Sequence, residues 1–229
     1  MVIGRHAFKG YDDALQEMMT GLGTMSEQVD ALLVMLENAL SNQLDDLSEV
    51  RATDKQVNKQ EYKIIDQLHF ILQRYTPSFQ ELWFLTSLNK VAASLEKVGD
   101  QAKGTIRALD KLPEGFSEKH RSDMHEILEL TRAMMKEALE NLRDYHPESA
   151  ADIVKTEQIV NERSSDLRYS LLQAATASAS ELQQEHRMLT IVRDIERLAD
   201  HSIDILRMAF FVHTGERFKR KLSLKALEE

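Results

Sequence analysis

The chain has 229 residues, 42% of them hydrophobic, enough for one large domain or two small ones, and it contains no cysteine, which excludes disulfides and thiolate chemistry. Its 38 acidic against 29 basic residues, a net charge of −9, argue against a general nucleic-acid binder and suit the binding of cations. No apolar run is long enough for a membrane-spanning helix, and the opening MVIGRHAFKG has no apolar signal stretch; with the lack of cysteine this fits a cytoplasmic address.

Leu, Glu, Ala, Met, Gln, Arg and Lys dominate, and alternating β-branched runs are almost absent, so the sequence predicts helices throughout. In chain order these are six, at about 8–42, 45–74, 78–111, 117–145, 149–174 and 180–213. Ser, Asn and Asp in SNQLDDLS (41–48) break the first from the second. Pro77 follows the second, Pro113 in KLPEG follows the third, and Pro147 follows the fourth, each ending the helix before it. The Ser-rich ATASASE (175–181) separates the last two. In the third helix Leu82, Leu85, Leu88, Ala92, Leu95, Ala102, Ile106 and Leu109 recur at helical spacing, as Leu189, Val192, Ile195, Ala199, Ile203 and Leu206 do in the sixth. Long helices with short connections predict an all-α antiparallel bundle.

The two halves repeat one another. LEKVGD (95–100) aligns with IERLAD (195–200), and TDKQVN (53–58) with TEQIVN (156–161). This reads as a duplicated three-helix unit, with residues 1–112 as the first, 113–216 as the second and 217–229 as a basic tail.

Residues four apart share a helix face, so Glu96 projects with Asp100 and Glu196 with Asp200; Asp204 extends the second row by a turn. On the preceding helices Asp54 pairs with Asn58 and Glu157 with Asn161. Facing rows of this kind gather oxygen ligands without sulfur, which suits Mg²⁺, Mn²⁺, Ca²⁺ or iron. A single ExxxD on a helix is usually solvated surface, and Lys97 or Arg197 could simply pair with neighbouring acids. The recurrence of both rows in both halves favours a shared role. Gly99 and Ala199, beside the acidic rows, allow a neighbouring helix to approach closely. No histidine has the Glu three residues upstream that a ferritin-like di-iron site requires, although His201 beside Asp200 is a weak ligand candidate. No phosphate loop, dinucleotide fingerprint or nucleophile elbow occurs. Met18, Met19, Met25, Met35, Met134 and Met135 read as core or groove filler, and RFKRK (217–221) as a solvated tail or a contact for anionic lipid or an acidic partner.

TDKQVNKQEYKIIDQL followed by RYTPSFQELWFLTSLNKVAASLEKVGDQAKGTI resembles the first repeat of the PhoU family of bacterial phosphate-uptake regulators, and TEQIVNERSSDL with RMLTIVRDIERLADHSIDI resembles its second. The resemblance runs from about residue 10 to residue 212. It implies two tandem three-helix bundles with pseudo-twofold symmetry. It also implies a non-enzymatic, cytoplasmic negative regulator, often a homodimer, that is peripheral to the membrane through its partners. These partners are the ATPase subunit of an ABC phosphate transporter and a sensor histidine kinase. It implies divalent or ferric metal ions (Mg, Mn, Fe or Zn) held by Asp54, Glu96, Asp100, Glu157, Glu196, Asp200 and Asp204, with Asn58 and Asn161 at ladder positions. The chain departs from the family at Gly104 and Asp204, where Asn is frequent, and at Ala199, where Gly is typical. The first site thus loses a side-chain ligand and the second gains a charge, so the second is expected to bind cations more tightly. A metal-dependent helical-bundle enzyme and a purely structural bundle are the alternatives.

Overall fold

The computed structural model describes residues 9–43, 46–112, 116–173 and 179–216. Six helices account for nearly all of them: α1 (Lys9–Leu40), α2 (Leu47–Arg74), α3 (Phe79–Asp110), α4 (Glu118–Arg143), α5 (Pro147–Gln173) and α6 (Ala179–Thr214). No strand occurs among the described residues. Pro113 and the tail 217–229 lie outside them, as does part of each Ser-rich or Asn-rich break.

The ends follow local chemistry. Asn42 takes a left-handed conformation, φ 56°, just past α1, and Gln43 N–H donates back to Asn38 O at 2.9 Å, satisfying a last-turn carbonyl. Asp46 caps α2 by accepting from Ser48 N–H at 2.6 Å. Ser78 and Glu81 form a reciprocal capping box at the start of α3, and Ser117 accepts from His120 N–H at the start of α4. Pro147 plays a different part from the expected one. The preceding helix already ends at Arg143, with Asp144 extended, and Pro147 opens α5. A first-turn position suits proline because the N–H it lacks has no partner there and its φ is already helical.

The helices of each half pack on one another: α1, α2 and α3 form one three-helix unit, and α4, α5 and α6 the other. The units join through α3 on α6 and, more loosely, α1 on α4. The inner four helices enclose a continuous core, with α2 and α5 outside. Its floor is the expected stripe: Leu85, Leu88, Ala92, Leu95, Ala102 and Ile106 of α3, and Val192, Ile195, Ala199 and Leu206 of α6, all essentially inaccessible. Leu82 departs from the stripe and is 40% exposed. α3 and α6 run antiparallel, since Gln101 Nε2 donates to Asp194 O at 2.9 Å while Trp83 packs on Phe211 a few turns away.

Across the α1–α4 seam, Arg132 forks onto both oxygens of Glu37 at 2.9 Å and onto Asp30 at 3.0 and 3.1 Å. Arg121 donates to Leu40 O at 2.6 Å, and Ser41 pairs with His125 at 2.7 Å. Towards the other end the two helices leave a groove of about 600 Å³, floored by Met19, Leu22, Leu33 and Met135. Met18, Met25 and Met134 are buried, so methionine serves as core and groove filler, as expected.

Gly99 lets α1 and α2 close over α3. A Cβ there would touch Leu32 Cδ1 and Val57 Cγ1 at 3.4 Å, contact without overlap. The corresponding Ala199 is already fully buried. Gly99→Ala is therefore expected to stabilise the protein by about 0.5–1 kcal/mol, the helix-propensity difference, and to raise the thermal midpoint by a few degrees. A lower midpoint in thermal denaturation would mean the seam is too tight for a methyl group.

Candidate functional site: two acidic seams

Each acidic row faces its partner across an outer seam, α2 on α3 in one half and α5 on α6 in the other. In the first seam Asp54 is only 7% exposed. Its Oδ2 accepts from Lys103 Nζ at 2.8 Å, and the same ammonium reaches Asp100 Oδ1 at 2.7 Å. Lys103 thus ties the two rows together, one helical turn beyond Asp100. The other oxygen of Asp54, and Asn58 Oδ1 one turn along α2, are buried without a hydrogen-bond partner. Burial raises the proton affinity of Glu96, and the charges of Asp100, Glu61 and Asp54 raise it further, against a smaller opposing pull from Lys103. Burial and Asp100 likewise raise Glu61. The four acids belong to one electrostatic patch.

The second seam is built from equivalent positions but neutralised differently. Arg168 of α5 donates to Glu196, Asn161 Nδ2 donates to Glu157 Oε1 at 2.6 Å, and Arg207 pairs with Asp204 at 2.7 Å. Where the first seam has Lys103, the second has the buried Ile203. Asp200 consequently takes no ion pair from a described residue. Partial burial raises its pKa, followed by the charges of Glu157, Glu196 and Asp204, with Arg197 opposing. Arg197 and Lys97 stay exposed. Burial lowers the pKa of His201, opposed by Asp204.

All seven acids named from sequence therefore lie on these two seams: Asp54, Glu96 and Asp100 on the first, and Glu157, Glu196, Asp200 and Asp204 on the second. Sequence reasoning did not name Lys103, Arg168 or Glu61. Spacing carries a signal for each: Lys103 is three residues after Asp100, while Arg168 and Glu61 each lie seven residues, or two turns, from Asn161 and Asp54.

The donor set fits a hard cation. It is all oxygen, it is charged beyond what the internal cations balance, and in the first seam two buried oxygens lack a partner. Among the described residues, no three carboxylate or imidazole groups are already drawn into a coordination sphere. The acids turn instead towards Lys103 and Arg168.

A raised carboxylate pKa makes stability depend on pH. Asp200 binds its proton more tightly in the folded protein than in the unfolded chain, so its contribution to stability falls as pH rises from the ordinary aspartate range through the raised value. The cost is fully present at neutral pH and absent in acid. In chelator, Asp200→Asn is expected to gain about 0.5 kcal/mol near pH 7, progressively less towards the ordinary aspartate range and nothing well below it, a small effect because the group is solvent-screened. Thermal denaturation across that range checks it.

A family model described as the PhoU domain matches the chain twice, over residues 22–108 and 124–209. The phosphate-specific transport system accessory protein PhoU of Escherichia coli K12 is 24% identical over 222 residues, covering 95% of this chain and 90% of that protein. The PhoU homolog of Pseudomonas aeruginosa is 25% identical over 215 residues, covering 92% and 88%. Among solved structures, PhoU from Pseudomonas aeruginosa superposes with a TM-score of 0.81 at 22% identity, over 90% of this chain and all of that one. The phosphate transport system regulatory protein PhoU from Streptococcus pneumoniae does so with a TM-score of 0.73 at 18% identity, over 92% and 98%.

Proposed function

The chain belongs to the PhoU family, and from that premise we propose that it is a non-catalytic accessory of a phosphate-specific transport system. It links the transporter ATPase to a sensor histidine kinase at the cytoplasmic face of the membrane and holds the starvation response off when phosphate is plentiful. The observation that carries the reading is the twofold acidic seam, placed at equivalent positions in both halves of a fold shared with the PhoU structures. The curated relatives, matched along most of their length, are accessory proteins of phosphate-specific transport, which supports the partner class. No helix among the described residues is long and apolar enough to cross a membrane, which accords with attachment through partners.

On this reading the two acidic seams hold divalent or ferric cations. Asp54, Glu96 and Asp100 would supply the first set of ligands, and Glu157, Glu196, Asp200 and Asp204 the second. A bound cation would neutralise like charges that otherwise oppose each other across the seam. An adaptor transmits a signal only if it binds two states of a partner with different affinity. The expected result is therefore that a pull-down from cells grown at high phosphate captures both the transporter ATPase and the kinase, in a ratio that changes at low phosphate. Capture of neither under both conditions would overturn the proposal.

A further inference from the structure

The seam between α1 and α4 is fastened along one stretch and open along the next. Arg121, His125 and Arg132 of α4 hold Leu40, Ser41, Glu37 and Asp30. From Arg132 to Arg143 the groove of about 600 Å³ lies between the two helices. That stretch of α4 is roughly 16 Å long, three helical turns. Leu22, Val29, Leu33, Met135 and Leu142 make its buried floor, with Met19 and Leu139 half-exposed above it. Arg143 leans back towards α1 at the far end, where a Cβ on Gly23 would stand 3.6 Å from its Nη2. Among the described residues α1 and α4 alone line the groove, whereas within each half a third helix packs on the other two.

The walls carry unlike charges that do not reach one another. Glu27 stands one turn from Asp30 on α1, and Lys136 one turn from Arg132 on α4. Both line the groove and are exposed, yet neither takes an ion pair from a described residue, and neither does Arg143. One turn back, Arg132 spans the same seam to Asp30 at 2.9 Å. Glu140 is the exception on the otherwise basic α4 wall. An acidic wall and a basic wall over a floor of leucine and methionine complement a helix with an apolar stripe, bases on one flank and acids on the other. Methionine adapts to such an insert because its side chain is unbranched and flexible.

We propose that this groove is the docking site for a single amphipathic helix of a partner protein, about three turns long, with aliphatic residues at i, i+3 or i+4, and i+7. Its basic flank faces Glu27, and its acidic flank faces Lys136 and Arg143. Two other occupants fit less well. A second copy related by a twofold axis would set groove against groove and leave both floors open. Anionic lipid would meet Glu27, Asp30 and Glu140 on the rim. The inference adds a surface and a helix chemistry to the accessory role, and it is independent of the metal reading and of which protein supplies the helix.

Ala133 is exposed and lines the groove, which makes it the place for a probe. The full chain carrying the photo-crosslinker benzoylphenylalanine in place of Ala133 is expected, on irradiation in cells, to capture a protein through a segment with this apolar period and these flanks, identified by mass spectrometry. The same crosslinker in place of Lys59, exposed on α2, should not capture it. A synthetic peptide of the captured segment should bind the purified chain in fluorescence anisotropy. Lys136→Glu should weaken that binding roughly fivefold, and changing the facing acid of the peptide to lysine should restore it. Ala133→Trp, which fills the groove from an exposed position, should weaken it at least tenfold, with circular dichroism verifying the helices. No capture from Ala133, capture of a second copy of this chain or of lipid, or the same adduct from Lys59 would each overturn the proposal. So would a captured segment without the apolar period, or a peptide that binds Lys136→Glu as tightly as the parent.

Discussion

Lys103→Met should destabilise the cation-free protein by about 2 kcal/mol, and added manganese should restore most of the loss. Lys103 is the ammonium that reaches both Asp54, at 2.8 Å, and Asp100, at 2.7 Å. Asp54 is nearly buried, and its second oxygen already lacks a partner. Methionine keeps the aliphatic stem packed while removing the charge, so what remains is a buried carboxylate without its counter-ion. A surface pair would cost far less, at most about 1 kcal/mol. Two further measurements separate charge from packing. Adding Asp54→Asn to Lys103→Met removes the orphaned charge and should recover most of the stability. Manganese at a hundredfold its dissociation constant adds about 2.7 kcal/mol by mass action, enough to offset the single substitution. A Lys103→Met protein as stable as the parent, with unchanged manganese affinity, would reduce Lys103 to an ordinary surface ion pair.

Much of this architecture is readable from the chain, and particular residues show why some of it is not. Helix positions follow from apolar spacing and from breakers at the joints, which is why the six expected spans and the six helices agree to within a few residues. The part Pro147 plays is not legible from sequence: a proline between two helices can follow one or open the next, and only Asp144, extended, decides it. Leu82 stands at helical spacing from Leu85 and Leu88 but is 40% exposed, so periodicity alone counts it as core where the packing leaves it open. The acidic rows were legible because i, i+4 spacing fixes a shared face whatever the tertiary structure. Which cation meets which acid was not. The i,i+3 spacing of Asp100 and Lys103 is readable, but the partners of Lys103 and Arg168 across the seams, Asp54 and Glu196, depend on how far one helix slides along the other, a register that spacing within a single helix does not encode. Gly104 and Asp204 mark the two halves as different in sequence. The opposite placement of their internal cations, on α3 in one and α5 in the other, required the packed helices.

That difference sets the last expected result. Asp200→Ala should reduce manganese affinity in a calorimetric titration by tenfold or more, and Asp100→Ala by about threefold or less. Asp200 lies among Glu157, Glu196 and Asp204 and, unlike them, takes no ion pair or hydrogen bond from a described side chain, so a cation arriving at its carboxylate relieves repulsion without displacing a partner of Asp200 itself. At Asp100 the same cation must first displace Lys103, an interaction that already neutralises the carboxylate. Asp204 should matter less than Asp200, because Arg207 holds it at 2.7 Å. The two halves should therefore bind in two steps, the second seam filling first. Removing the competitor ought to erase the difference: in a Lys103→Met background, Asp100→Ala should become as damaging as Asp200→Ala. Equal losses in the parent background, or none in either, would mean that the internal cations do not decide where a metal binds. If Asp100→Ala were still harmless once Lys103 was gone, the first seam would be a structural ion-pair cluster and only the second a cation site.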